Sequence, residues 1–177
     1  MIISGNSKVL ECNTIFNIPD KLDIKFKKDT IVDYTMHNEH DDIINNARKW
    51  GYCTENTTFF QSNEIHNNQW AKDISSFLFN KFSFAVMKLP PGTIIPAHQD
   101  KYNFFRTLYN ISDDDKHKIV RYIVFLDDWE PGQSTIVEEA SITHWKKGEC
   151  VGWHNDAFHI GINGGKKDKI FLQITGI

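Results

Sequence analysis

Cysteine is scarce in this chain: Cys12, Cys53 and Cys150 are the whole complement. The number is odd and no two stand as Cys-x-x-Cys, which speaks against a disulfide framework and against a Cys-rich zinc site. Hydrophobic runs are short, and none approaches the length of a membrane span. There is no excess of basic charge. Lys and Arg number 20 against 23 Asp and Glu, giving a net charge of −3 and a pI near 6.2. A strong electrostatic footprint for nucleic acid is thereby excluded. Met1-Ile2-Ile3-Ser4 does not open a basic region followed by a long apolar run, so no secretion signal is read here. Without one, Asn56-Thr57-Thr58 and Asn110-Ile111-Ser112 are chance matches to a glycosylation sequon. The expected protein is soluble and cytoplasmic, with no membrane contact.

What the chain has is aromatic bulk, with 13 Phe and 5 Trp in 177 residues. That length accommodates one domain with a sizeable core. Residues 1–81 are expected to supply support: an edge strand at Leu22-Asp23-Ile24-Lys25-Phe26, a helix over Asn38–Trp50 stopped by Gly51, a polar loop from Cys53 to Asn68, and a second helix over Gln69–Lys81. After residue 82 the pattern changes to short strands separated by turn residues. Phe82–Leu89, Lys118–Leu126, Thr135–Glu139, Ile142–Trp145, Cys150–Trp153, Phe158–Asn163 and Lys169–Thr175 all read as strands, and 101–118 as a long polar connection. The fold class is mainly β with N-terminal helices, around a double-stranded β-helix (jelly-roll, cupin-like) core over 82–177.

The stretch that organises the chain is Pro90-Pro91-Gly92-Thr93-Ile94-Ile95-Pro96-Ala97-His98-Gln99-Asp100. In an extended segment residues i and i+2 share a face, so His98 and Asp100 present an imidazole and a carboxylate to one point. Two histidines and one carboxylate with the remaining positions open are the arrangement of non-haem iron(II) sites. Near the C-terminus, Phe158–Asn163 and Lys169–Thr175 are expected to close a hairpin around Gly164-Gly165, with Asn163 opposite Lys169. Alternation then puts His159, Gly161, Asn163, Lys169, Phe171 and Gln173 on one face. Phe158, Ile160, Ile162, Ile170, Leu172 and Ile174 fall on the other. A polar face enclosed in a barrel is costly unless it holds a ligand.

The ordered set His98-x-Asp100, His159 and then Lys169 ten residues later resembles the iron(II)- and 2-oxoglutarate-dependent oxygenases, in particular the prolyl-hydroxylase-like branch. The runs Arg121–Trp129 and Lys169–Gly176 also look like its short phage-type members. The similarity covers residues 82–177, about half the chain. The resemblance implies that His98, Asp100 and His159 bind Fe(II) and carry catalysis. It implies that Lys169 meets the distal carboxylate of 2-oxoglutarate. O2 is then the third reactant, and a small-molecule or peptide substrate is hydroxylated with release of succinate and CO2. The family usually has arginine at the Lys169 position. Lysine is a point charge without the bidentate grip of a guanidinium, so a second residue is sought. Arg121, on an otherwise apolar strand face, needs a partner: either the co-substrate, or Asp127, Asp128 or the acids at 113–115.

Other assignments compete. His98 has the bland reading of a loop histidine. His154 rivals His159 as third ligand but is placed at a strand end near the mouth. His37, His40, His66, His117 and His144 lack partners at metal spacing. Tyr102, Asn103, Phe104 and Phe105 line the substrate entrance or anchor a loop. Trp129, Trp145 and Trp153 are read as packing, Asp113–Asp115 as a solvated turn, and Lys166 and Lys167 as turn residues. Two other functions stay open on the same scaffold: a non-catalytic lectin- or cupin-like binding module, and a metal-dependent isomerase or hydrolase that does not use 2-oxoglutarate.

Overall fold

The computed structural model describes residues 1–5, 8–31, 41–62 and 68–177, with residues 41–44 described by their backbone alone. His37, His40, His66 and the start of the expected Asn38–Trp50 helix lie outside the described residues. Twelve strands are seen among them: β1 (Ile2–Ser4), β2 (Val9–Cys12), β3 (Lys27–Thr30), β4 (Thr58–Ser62), β5 (Phe82–Leu89), β6 (Thr93–His98), β7 (Val120–Phe125), β8 (Gln133–Val137), β9 (Ala140–Thr143), β10 (Cys150–His154), β11 (His159–Asn163) and β12 (Lys169–Gly176). The helices are α1 (Asp41–Lys49), α2 (Thr54–Thr57), α3 (Gln69–Leu78) and α4 (Asn103–Tyr109).

The strands make two antiparallel sheets, β1-β9-β8-β11-β6 and β2-β10-β7-β12-β5-β4-β3. From β5 onward the chain passes from one sheet to the other at each step except the β8–β9 hairpin, in the orders β10-β7-β12-β5 and β9-β8-β11-β6. That interleaving is a jelly roll, as the strand count implied. Strands β1 to β4, all from the first 81 residues, extend the two sheets at their edges.

Alternation along β7 sorts the core. Ile123 and Phe125 face between the sheets, where they meet Met87, Leu89, Val151 and Phe171. Val124 faces outward with Val86, Leu172 and Ile174, against Ala71 and Ile74 of α3. The apolar stripe of α3 therefore has the sheet as its partner, and the helix ends where the Phe79 amide bonds Ser75 O. Burying each such side chain is worth about 1.5–3 kcal/mol.

Four expectations change. Leu22, Ile24 and Phe26 do alternate inward onto the outer core, but no ladder forms there, and the strand begins only at Lys27. The loop expected over Cys53–Asn68 contains β4, whose register Phe60↔Lys88 is set by pairing with β5 and not by its own polar sequence. The 101–118 connection contains α4. Tyr102 and Asn110, both left-handed (φ 54° and 52°), bracket this helix, and Phe105 anchors it by burial against Tyr102 and Ile119.

The fourth change is the hairpin: β11 and β12 do not pair. Asn163 lies opposite Gln133 and Thr93, whereas Lys169 lies opposite Leu89. The 164–168 loop instead crosses between the sheets. Glu130 accepts hydrogen bonds from the amides of Lys166 (2.7 Å) and Lys167 (2.8 Å). Asn163 Nδ2 donates to Leu89 O (2.6 Å) and Lys167 O (2.9 Å). Gly132, at φ +96°, comes so close to this loop that a Cβ would stand 2.5 Å from Gly164 O. The face expected to be polar nevertheless points inward, because both strands line the space between the sheets.

Candidate metal centre

His98 closes β6 and His159 opens β11, and the two are register partners on neighbouring strands. Their rings lie 4.2 Å apart. A bulge brings His98 there. Between His159↔His98 and Gly161↔Ile95, β6 carries one residue more than β11. Residues 95 and 98 would face opposite ways in a regular strand; with the bulge, Ile95 and His98 both line the same cavity. Pro96 sits in the bulge, where its missing N–H costs no ladder bond.

Each imidazole is tied to a carbonyl two residues earlier. His98 Nδ1 lies 2.8 Å from Pro96 O and His159 Nδ1 lies 3.1 Å from Ala157 O. A carbonyl only accepts, so each Nδ1 carries the proton and each Nε2 lone pair is left for a cation. Those Nε2 atoms point at Asp100, at 3.8 Å from Oδ1 (His98) and 3.4 Å from Oδ2 (His159). The three ligand atoms all lie within 4.8 Å of one another. Metal–ligand bonds of about 2.1 Å hold neighbouring donor atoms roughly 3–4 Å apart, so the group could bind a metal ion.

Asp100 lies past the end of β6 and is held from the opposite sheet. Arg121 Nη2, on β7, is 3.0 Å from Asp100 Oδ2, without the angle of a hydrogen bond. The guanidinium is covered by the Tyr102 ring at 4.8 Å. Burial pushes the Asp100 carboxyl up, but Arg121 and the two imidazoles outweigh it and hold it well below the usual carboxylate range. Burial, then His98, lowers His159 to about 3. An ionised acid and a neutral imidazole are the forms that ligate.

Lys169 opens β12 and lines the same cavity. It is 2% exposed. Its Nζ donates to Ser134 O (2.5 Å) and Thr135 Oγ1 (2.7 Å) and lies 5.0 Å from the Trp145 ring. No acid among the described residues pairs with it, and burial pulls it down to about 7. Arg121 was expected beside it; the structure places Arg121 on Asp100, an acid outside the set expected to partner it.

His154 is exposed, in a surface depression with His117 and Asp156, away from the centre. His144 stacks on Trp129. Tyr102 and Phe105 are buried and Phe104 is exposed. Asp113 and Asp115 pair with Arg106 and Lys118 on the surface. Trp145 packs as expected, stacked on Phe125 at 4.0 Å. Trp153 does more than pack: it lines the cavity beside His159, and its buried Nε1 donor has no partner among the described residues. Thr135 was also missed, because a threonine in a short strand carries no signal of its own.

No family model matches the chain, and no curated protein matches it. Solved structures that resemble it include the plu4264 protein of Photorhabdus luminescens (14% identity, 55% of this chain and 64% of that one, TM-score 0.39). They include the cupin domain of Schizosaccharomyces pombe Cnp3 (13%, 55% and 56%, 0.39). A predicted oxalate decarboxylase from Thermotoga maritima is a third (17%, 68% and 81%, 0.41). The matched part thus spans less than two thirds of the first two. All are distant, and none assigns a role to a residue of this chain. Among the described residues no helix is long and apolar enough to cross a membrane.

Proposed function

We propose that the chain is an Fe(II)- and 2-oxoglutarate-dependent oxygenase that hydroxylates a peptidyl or small-molecule substrate, with residues 1–177 acting as one domain. The observation that carries this reading is a single cavity holding both an open three-ligand group and a buried lysine without an acidic partner among the described residues. A buried ammonium without a counter-charge is expensive, and a dicarboxylate would supply one. His98, Asp100 and His159 would hold the iron, which supplies the oxidative chemistry when bound. Lys169 and Thr135 would hold the distal carboxylate of 2-oxoglutarate. Arg121 keeps Asp100 ionised, and the two backbone carbonyls keep both imidazoles in the ligating tautomer. The apolar walls, among them Met87, Ile95, Ile123 and Phe171, exclude bulk water from the reacting groups.

A second reading draws on the same lysine. Its two hydrogen bonds, to Ser134 O and Thr135 Oγ1, satisfy a neutral amine, which suits metal chemistry without a dicarboxylate. Anaerobic addition of Fe(II) and 2-oxoglutarate separates the readings. The oxygenase gives a visible metal-to-ligand charge-transfer band, and succinate once O2 is admitted. Iron binding with neither signal selects the second reading; no iron binding returns the chain to a non-catalytic binding module.

A further inference from the structure

The scarce cysteines are not scattered in the fold. Cys12 is the last residue of β2 and Cys150 the first of β10, and the two are direct register partners across an antiparallel pair. Opposed residues in such a ladder point to the same face, with Cα atoms about 4.5 or 5.5 Å apart. Both separations fall inside the roughly 4.4–6.8 Å that a disulfide spans. Here both side chains turn to the outer core of the seven-stranded sheet, and the two thiols interact directly. Among the described residues no third His, Cys, Asp or Glu joins them at ligand distance, which removes a metal as the reason for the pairing.

We propose that Cys12 and Cys150 form a reversible cross-strand disulfide when the protein meets hydrogen peroxide. This rests on the register of β2 and β10 and is independent of the proposed oxygenase activity. Cys12 is the partner open to attack, being half-buried, while Cys150 is 1% exposed. The hydrogen bond from Cys150 outweighs the opposing effect of burial and lowers the Cys12 thiol to about 6, whereas burial pushes Cys150 up. A thiolate is the reactive form. In the first step Cys12 sulfur attacks a peroxide oxygen, the O–O bond breaks, and the departing hydroxide takes a proton to leave as water. In the second, Cys150 sulfur attacks the Cys12 sulfenic acid, the S–O bond breaks, and the S–S bond forms. The Cys150 proton leaves with the hydroxyl as a second water. Two thiols are oxidised and one peroxide is reduced. The product bolts an edge strand to β10, the strand that carries Trp153 into the cavity.

The test uses the purified full chain, titrated with hydrogen peroxide and then denatured for thiol counting. The count falls from three to one and returns to three with dithiothreitol. Mass spectrometry of a non-reduced digest shows the Cys12 and Cys150 peptides joined, with loss of two hydrogens. The thermal midpoint of the oxidised protein rises, and it rises equally in Cys53→Ser. In Cys12→Ser no internal crosslink and no rise appear. Three persistent thiols, a crosslink through Cys53, or a Cys12 that goes to sulfinic acid without joining Cys150 overturns the proposal. The wild-type and Cys53→Ser measurements decide it even where a Cys150 variant fails to fold.

Discussion

Arg121 Nη2 stands 3.0 Å from Asp100 Oδ2, so the one acid of the candidate metal centre is neutralised from the seven-stranded sheet while both histidines come from the five-stranded one. Asp100 thereby sits at the seam of the jelly roll. Any cation bound there shares the carboxylate with a fixed guanidinium.

Arg121→Met is expected to destabilise the metal-free protein by about 3 kcal/mol, because it leaves the half-buried Asp100 carboxylate, whose Oδ2 is covered, without its counter-charge. Adding Mn(II) or Zn(II) should recover part of that loss, since the ion replaces the missing positive charge. Urea denaturation with and without metal checks this. An equal loss in both conditions would place no ion next to Asp100.

Substituting His159 by Ala removes one of three ligand atoms while leaving the Asp100–Arg121 pair in place. Changes to the groups that only orient a ligand already weaken metal binding about 10–100-fold, so loss of the ligand itself should weaken it on the order of 100-fold or more. Isothermal titration with Mn(II) reads this directly. The charge-transfer band with Fe(II) and 2-oxoglutarate should be absent in the same variant.

Lys169 makes affinity for a dicarboxylate depend on pH. Burial lowers it from 10.5 to about 7 in the free protein, so above neutrality the amine is largely uncharged and binding an anion must take up a proton. Affinity for 2-oxoglutarate should therefore fall as pH rises above about 7, and proton uptake should appear as a buffer-dependent heat. Lys169→Met should abolish that pH dependence while leaving metal affinity unchanged. The stability of the free protein has the matching sign. Between about 7 and 10.5 the unfolded chain binds the proton that the folded one lacks, so this group adds stability as pH rises through that window. Unfolding midpoints of wild type and Lys169→Met across that range check the sign.

Gly132→Ala meets two obstacles: a φ of +96° and a Cβ placed 2.5 Å from Gly164 O. The strain alone costs about 1–3 kcal/mol. Because the displaced loop leads into Lys169, 2-oxoglutarate affinity should drop together with thermal stability. A variant that loses neither would mean that the 164–168 loop is free to shift.

The residues determined a good deal unaided. Apolar runs bounded by turn residues are a local property, so the strands over Phe82–Leu89, Lys118–Leu126 and Lys169–Thr175 were legible, and with them the jelly roll; an inward face was legible only along His159–Asn163 and Lys169–Gln173. His98-x-Asp100 followed by His159 was legible as an ordered set of ligand-type side chains, and the fold brings the three together. What lay beyond the sequence depends on partners distant along the chain. The strand character of Thr58–Ser62 comes from β5, and the separation of β11 from β12 comes from the 130–133 turn that holds their connecting loop. A one-residue bulge at Pro96, invisible to any count of alternation, decides which way His98 faces. The partner of Arg121 was decided last and only in three dimensions, because a buried charge settles on whichever acid the fold brings within about 3–4 Å, and here that acid is Asp100.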